Sequence, residues 1–158
     1  MNLFEAGLYD LAKLFLVPVL VLIVAALAYA FMSLGSFLIE ALQRRRGRYH
    51  SQLAIFQKAS GAESGDLELW IMQRLEWLRI VARSAPMLGL VATMIPMGPA
   101  LLALSNNDAK GIGDNLAMAF AAVILALVAA AISHLVLTVR RRWLLQELRT
   151  LERAPEHR

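Results

Sequence analysis

The sequence predicts an all-α membrane protein with three transmembrane helices that continue beyond the bilayer as cytoplasmic helical extensions. Hydrophobic residues make up 59% of the 158-residue chain and charged residues only 18%, which is too apolar for an ordinary soluble domain. Three stretches lack Asp, Glu, Lys and Arg altogether, and each reaches the roughly 20 residues that cross a hydrocarbon core of about 30 Å. They are residues 14–39, 84–104 and 115–139. We expect them to form one membrane domain over residues 1–158.

The distribution of lysine and arginine predicts how the three spans are oriented. Residues 40–83 and 140–158 hold clusters of these side chains, whereas residues 1–13 and 105–114 hold one lysine each. Because loops rich in Lys and Arg stay on the cytoplasmic side, we expect a cytoplasmic helical hairpin over 40–83 and a cytoplasmic tail over 140–158. The N-terminal segment and the 105–114 loop are then outside, in a multi-pass protein of the inner (cytoplasmic) membrane.

The net charge of +4 raises the question of a nucleic-acid partner. Most of the arginine, however, lies next to the predicted membrane ends. The anionic inner leaflet of the lipid bilayer is therefore the expected counterpart, and no nucleic acid is expected. The residues expected at this leaflet are Arg44, Arg45, Arg46, Arg140, Arg141 and Arg142.

Between the first two spans the sequence predicts two helices joined by a turn. Helical spacing of apolar residues indicates that the first helix continues to about Lys58. A glycine-containing turn follows, and Asp66 is a suitable N-cap for the next helix. From residue 67 to 83 one apolar stripe runs into the second span. We expect Trp70 and Trp77 on this helix to be packing residues rather than ligand contacts.

The second span is rich in residues that weaken a helix. Proline removes a backbone donor and glycine removes side-chain bulk, so we expect kinks and close helix packing here. In lipid such features survive only where neighbouring protein or a water-lined cavity satisfies the freed backbone groups. This segment is therefore expected to face partners or a pore. Its residues in these packing and kink positions are Pro86, Gly89, Pro96, Gly98 and Pro99.

No Asp, Glu, Lys or Arg falls within any span. A transporter that acts alone would normally keep such a group at membrane depth, so any proton carrier must come from another chain. The second span does supply the hydroxyl of Thr93. This hydroxyl either returns its proton to the carbonyl of Gly89 or presents its oxygen to water or a partner carboxyl in a cavity. Both interpretations stay open.

The third span carries small residues at near-helical spacing, which favours tight helix–helix contact in a membrane. They are Ala119, Ala122, Ala126 and Ala130. His134 near the inner end has no nearby His, Cys or acid, so we expect a polar residue rather than a metal ligand. The chain has no cysteine and no catalytic or phosphate-binding motif. We expect no metal, no cofactor and no enzymatic activity.

The segment Ala85-Pro86-Met87-Leu88-Gly89-Leu90 with Thr93, followed by Pro96-Met97-Gly98, resembles the MotA/TolQ/ExbB proton-channel family, and a small TolQ/ExbB-like member in particular. The resemblance runs from about Arg79 to Trp143. It implies a homo-oligomeric ring, a pentamer, around two copies of a small single-span partner of ExbD/TolR type whose membrane aspartate carries the proton. It also implies that Thr93 lines the proton pathway. Ala119 and Ala122 fall where relatives tend to carry a pathway threonine.

The resemblance implies a proton-channel or motor-stator-like subunit that couples proton flow to mechanical work or transport. The missing threonine at Ala119 and Ala122 favours an alternative, a non-conducting structural scaffold or assembly protein. A third, weaker hypothesis is a basic membrane adaptor that recruits cytoplasmic partners through Trp70 and Trp77.

Overall fold

The computed structural model describes residues 3–46, 55 and 64–153. Three helices account for nearly all of them: α1 (Leu3–Arg45), α2 (Ser64–Ser105) and α3 (Ala109–Arg153). Each contains a segment that is long and apolar enough to cross a membrane, namely Asp10–Arg45, Gly65–Ser105 and Ala109–Thr150. The all-helical fold with three long apolar helices is therefore the one that the sequence predicted. The expected continuation of α1 to Lys58 lies outside the described residues.

The start of α2 differs from the expectation by about half a turn. The helix begins at Ser64, so Asp66 lies in its first turn rather than at the N-cap. A carboxylate in the first turn still interacts favourably with the exposed N–H groups at the helix N-terminus. Asp66 therefore favours the start of this helix from a position two residues inside it rather than from the N-cap.

Contacts between charged side chains show the relative directions of α1 and α3. Arg44 of α1 pairs with Glu147 of α3, and Glu40 of α1 pairs with Arg140 of α3. These partners are 103 and 100 residues apart, so α1 and α3 run parallel in nearly constant register. The short connection at residues 106–108 makes α2 antiparallel to α3, and these two helices share the most extensive contact. We call the end that holds Arg44 and Arg140 the basic end, and the opposite one the loop end.

The interior of the bundle changes character along its length. Towards the loop end and in the middle, the buried residues are mainly alanines: Ala30, Ala85, Ala92, Ala122, Ala126, Ala129 and Ala130, with Val19 and Ile23. At the basic end they are larger: Leu67, Ile71, Leu75, Leu78, Val136, Leu144 and Leu148. Most of these larger residues lie beyond the charge-free stretches. These larger side chains bury more apolar surface than alanine does, whereas the alanine layers let the helices pack closely.

The turn between α2 and α3 is shorter than the predicted loop at 105–114. Asn107 adopts a left-handed conformation with φ of 55°. The N–H groups of Asp108 and Asn107 then bond to the carbonyls of Ala103 and Leu104 at 2.9 and 3.2 Å, a Schellman C-cap. Asp108 caps the next helix at once, because its Oδ1 accepts the N–H of Gly111 at 3.0 Å. End and start signals thus meet within three residues.

The two tryptophans of α2 have different surroundings. Trp70 is partly buried and packs against the leucine-rich cluster of the basic end, as expected of a packing residue. Trp77 has 67% of its surface exposed in the protomer. The third tryptophan, Trp143 of α3, stacks on Phe37 of α1 with ring centroids 5.2 Å apart. An interior role therefore holds for Trp70 and Trp143, and Trp77 is a surface residue of the single chain.

Candidate functional site

Thr93 lies at the edge of the buried stripe of α2. That stripe consists of Ala85, Gly89, Ala92, Pro96 and Ala100, and Thr93 itself is half-buried. Its hydroxyl donates a hydrogen bond to the carbonyl of Leu90 at 2.7 Å. This is a bond to a carbonyl of the same helix, of the kind that the sequence suggested, although the acceptor is three residues back rather than Gly89. The side chain is therefore tied to the helix while one side of it reaches the protomer surface.

The hydrogen bond limits what Thr93 can offer to another molecule. While its proton points at Leu90, the hydroxyl oxygen presents only lone pairs to its surroundings. It can then accept a hydrogen bond from water or from a protonated carboxylic acid. An ionised carboxylate is an acceptor only, so it can bond to Thr93 only if the hydroxyl turns away from Leu90. The geometry thus distinguishes between the two protonation states of a carboxyl group.

The prolines add further acceptors beside Thr93. Helix α2 continues without a break through Pro86, Pro96 and Pro99. Because proline has no N–H, the carbonyls four residues earlier lose their usual helical donor. For Pro96 and Pro99 these are the carbonyls of Ala92 and Ile95, on either side of Thr93 in the chain. The middle of α2 therefore carries more acceptors than donors. The expected kinks at the prolines stay a prediction.

Gly89 holds α2 close to α3. A Cβ atom at this position would lie 2.9 Å from the Cβ of Ala126 and 3.4 Å from Cγ2 of Val123. Only a residue without a side chain fits this distance. The contact fixes the height of Thr93, one turn further along α2, relative to α3. Gly98 and Pro99, the other predicted packing positions, are half-buried, and Pro96 is buried.

Ala119 and Ala122 lie inside the protomer. Their exposed fractions are 3% and 4%, and Ala122 packs in one cluster with Val19, Ile23 and Ala92. The alanine stripe of α3 thus serves contacts with α1 and α2 of the same chain. A role of these two alanines in a pathway between chains stays a prediction. In the protomer their small size lets the neighbouring helices approach.

An arginine-rich groove lies on the same face of α2 as Thr93, at the basic end. Arg79, Arg83, Pro86, Leu90 and Thr93 recur at intervals of three or four residues, so they share one side of the helix. Arg79 and Arg83 line the groove together with Arg141, Arg142 and Arg149 of α3. The groove has a volume of about 860 Å³. His134 lines it too and is exposed. Among the residues that the structure describes, no group of His, Cys, Asp and Glu could hold a metal ion.

The opposite face of α3 carries an ion cluster with α1. Glu40 accepts hydrogen bonds from Arg44 at 3.3 Å and from Arg140 at 3.0 Å, and Arg44 also pairs with Glu147. The Arg44 guanidinium lies 4.6 Å from the ring centroid of Trp143, a cation–π contact. The four charged side chains are only 15–22% exposed. We call Glu40, Arg44, Arg140 and Glu147 the ion cluster.

Two of the six arginines expected at the inner leaflet belong to the ion cluster. Arg44 and Arg140 have acidic partners within the chain, whereas Arg45, Arg46, Arg141 and Arg142 are exposed. Contact with a leaflet stays a prediction for all six. The spacing of Glu40 and Arg44, four residues apart, could have suggested their pairing from the sequence. The bonds to α3 required the helix register.

A family model described as the MotA/TolQ/ExbB proton channel family matches residues 30–153. The match begins in the middle of α1 and includes all of α2 and α3, so it covers Thr93, the groove and the ion cluster. No curated protein and no solved structure matches the chain.

Proposed function

The chain belongs to the MotA/TolQ/ExbB proton channel family, and from this membership we propose that it is the ring-forming subunit of a proton-driven motor or transport complex. Several copies, five by resemblance to the family, surround the membrane helices of a small single-span partner of ExbD/TolR type. An aspartate of the partner carries the proton, and the ring converts proton flow into movement of the partner.

The observation that carries this proposal is the combination of Thr93 with three acid-free spans. Thr93 is half-buried, donates its hydroxyl proton to the carbonyl of Leu90 and keeps its oxygen lone pairs for other donors. An oxygen of this kind suits a carboxyl group that arrives protonated and leaves ionised. Because residues 14–39, 84–104 and 115–139 contain no Asp, Glu, Lys or Arg, the titrating group belongs to a partner.

Energetics support a motor of this type. One elementary charge that crosses the membrane releases about 2.3 kcal/mol per 100 mV, several times the thermal energy. That is sufficient to bias steps between successive Thr93 sites around a ring. In this arrangement the basic end faces the cytoplasm and the turn at Asn107 faces outward, since arginine-rich segments remain on the cytoplasmic side.

Replacement of Thr93 tests the proposal. Thr93→Val keeps the shape and removes the hydroxyl. We expect partner-dependent proton uptake into vesicles to fall by about tenfold, which corresponds to the loss of one hydrogen bond of about 1.4 kcal/mol. Thr93→Ser restores the hydroxyl and should recover most of the uptake. Unchanged uptake in Thr93→Val vesicles would disprove the proposed role.

Thr150 provides a matched control. Its hydroxyl also donates to a helix carbonyl, that of Gln146, at 2.9 Å, but it lies near the C-terminal end of α3 and outside the groove. Thr150→Val removes the same chemical group and should leave proton uptake at the wild-type level. Equal losses in Thr93→Val and Thr150→Val would point to a general effect on folding.

A second candidate function is a non-conducting structural scaffold. Its support is that Ala119 and Ala122 bring no hydroxyl to α3 and are buried within the protomer. The two functions are separated by a pH-gradient measurement on vesicles that contain both ring and partner. If these vesicles hold a gradient as long as empty ones do, the scaffold is correct and the channel is not.

The partner and the copy number need their own measurement. The open reading frames next to this one are searched for a short protein with one span and an aspartate in it, and the two proteins are produced together. Native mass measurement of the detergent-extracted complex then counts both chains. We expect five copies of this chain and two of the partner. A complex without a single-span protein would contradict the proposal.

A further inference from the structure

The groove at the basic end is an unusual concentration of positive charge. Five guanidinium groups line it, those of Arg79, Arg83, Arg141, Arg142 and Arg149, and no acidic residue is among the lining side chains. Five like charges at close quarters repel one another, so the groove is more favourable when an anion occupies it. Its shape and charge therefore indicate a ligand with several negative groups.

The arginines of the groove contrast with those of the ion cluster. Arg44 and Arg140 each pair with a glutamate of the same chain. Among the described residues, none of the five groove arginines forms a salt bridge with an acidic side chain. Within the part of the chain that the structure describes, Arg44 and Arg140 thus have acidic partners on the α1 side of α3, and the groove arginines on the other side have none. The planar guanidinium group favours carboxylate or phosphate oxygens, which it binds with two parallel hydrogen bonds.

The length of the groove decides between these two anions. Along α3 it extends from His134 to Arg149, about 22 Å at 1.5 Å per residue. The headgroup region of one leaflet is only about 5–8 Å thick. A lipid phosphate could therefore reach the arginines near the membrane, such as Arg83 and Arg141, but not Arg149. An elongated peptide with several carboxylates can reach all of them.

The position of the groove indicates where such a peptide comes from. Arg79 and Arg83 lie on the same stripe of α2 as Thr93, which is ten residues beyond Arg83 or about 15 Å along the axis. A helix that lies against Thr93 within the membrane and continues towards the basic end therefore arrives at the groove. On α3 the residues that contact α1, such as Trp143, are on the other side, so α1 does not block this approach.

We propose that the groove binds an acidic, carboxylate-rich segment of the single-span partner, next to the partner's membrane helix at the basic end. This inference rests on the proposed function, because it takes the face of α2 that carries Thr93 to be the one that meets the partner. The segment anchors the partner to the ring outside the membrane. Its carboxylates exchange water for the guanidinium groups of α2 and α3.

A labelled peptide can test the groove without the partner. The probe is a synthetic peptide of about 12 alternating Glu and Ala residues, long enough to span the groove when extended; its control has Gln in place of Glu. Binding to the full-length protein in an uncharged detergent is followed by fluorescence anisotropy. We expect the Glu peptide to bind, the Gln peptide not to bind, and the affinity to fall as salt is raised.

Paired variants assign the binding to the groove. Arg79→Gln/Arg83→Gln should weaken the binding of the Glu peptide by about tenfold or more, because charge-assisted bidentate hydrogen bonds are lost. Arg45→Gln/Arg46→Gln removes the same charge from exposed arginines outside the groove, and it should bind the peptide like the wild type. Equal weakening in both variants, or no preference for Glu over Gln, overturns the proposal.

A lipid arm of the experiment separates the second source of anionic oxygen. Nanodiscs of phosphatidylcholine are compared with nanodiscs that also contain phosphatidylglycerol, and the lipid retained after extraction is measured. If retention of phosphatidylglycerol falls in Arg79→Gln/Arg83→Gln while peptide binding does not, the groove is a lipid site and the proposal is wrong. Thr93→Val should bind the peptide normally. A failure of the groove is thereby distinguished from a failure of the proton pathway, which is read from proton uptake.

Discussion

Gly89 of α2 packs directly against Ala126 of α3, where a Cβ atom on Gly89 would lie 2.9 Å from the Cβ of Ala126. Cβ atoms do not come that close, so the glycine is required by the contact. The contact lies between the proline-rich part of α2 and the alanine stripe of α3. It therefore helps to set the position of Thr93, one turn further along α2.

Gly89→Ala should separate the two helices. We expect a loss of about 1–3 kcal/mol in the free energy of unfolding from overpacking, partly offset by a gain of about 1 kcal/mol in helix propensity. Thermal unfolding in detergent, followed by circular dichroism, measures the change. Gly35→Ala is the matched control, because nothing lies within 4 Å of a Cβ at Gly35, and it should be neutral or stabilising. Adding Ala126→Gly to Gly89→Ala should recover the stability.

Glu40→Gln should weaken the attachment of α1 to α3. Glu40 joins Arg44 and Arg140, and its side chain is 16% exposed. The expected loss is about 1–3 kcal/mol, between the values for exposed and buried ion pairs. Denaturant unfolding gives the number. Glu76→Gln removes the same charge from an exposed site on α2 and should have little effect. If both variants are equally stable, the ion cluster contributes nothing to the bundle.

Substitutions of the turn residue Asn107 should either raise or lower the stability of the protein. Its φ of 55° is unfavourable for most side chains. Asn107→Gly should stabilise the turn by up to about 1 kcal/mol, whereas Asn107→Val should destabilise it by about 1–2 kcal/mol. Melting temperatures of the two variants and the wild type are compared in one detergent. A valine variant as stable as the glycine variant would mean that the left-handed conformation is not kept.

The hydroxyl of Ser133 is buried and has no hydrogen-bond partner among the residues that the structure describes. Ser133→Ala should therefore raise the free energy of unfolding of the isolated chain by up to about 1 kcal/mol. Ser84→Ala is the comparison, because the Ser84 hydroxyl donates to the carbonyl of Ile80 at 2.8 Å, and it should be neutral or slightly destabilising. A loss of stability in Ser133→Ala would contradict the absence of a partner for this hydroxyl.

Particular residues show how far the sequence predicts the fold. The stripe Leu67, Ile71, Leu75 and Leu78 was expected on one apolar face from its spacing alone, and all four residues are buried. The lengths of the charge-free stretches predicted the three apolar helices. Such features depend on local periodicity and on hydrophobicity, which are properties of the chain itself. The turn at 106–108 is shorter than the predicted loop at 105–114. Its length depends on the left-handed conformation of Asn107, which lets the end of α2 and the start of α3 be capped by adjacent residues.

The candidate site was predictable only in part. The sequence identified Thr93, but the carbonyl of Leu90 as its acceptor depends on the rotamer of a half-buried side chain. Nothing in the sequence indicated that Arg83 and Arg149 line one groove, because they are 66 residues apart in the chain. Their convergence follows from the register of α2 against α3, which Gly89 and the turn determine together.

By itself, the sequence determined the class of protein, the number of apolar helices and the hydroxyl at position 93. These follow from hydrophobic length, charge placement and residue type, which need no knowledge of neighbours. Only the tertiary structure decided that the alanine stripe of α3 packs within its own chain and that Glu40 and Glu147 pair with Arg44 and Arg140. It also decided that five other arginines line a groove. The physical reason is that pairing and convergence require two helices at a fixed distance and register. The packing at Gly89 and the turn at Asn107 contribute these for α2 and α3, and the ion pairs join α1 to α3.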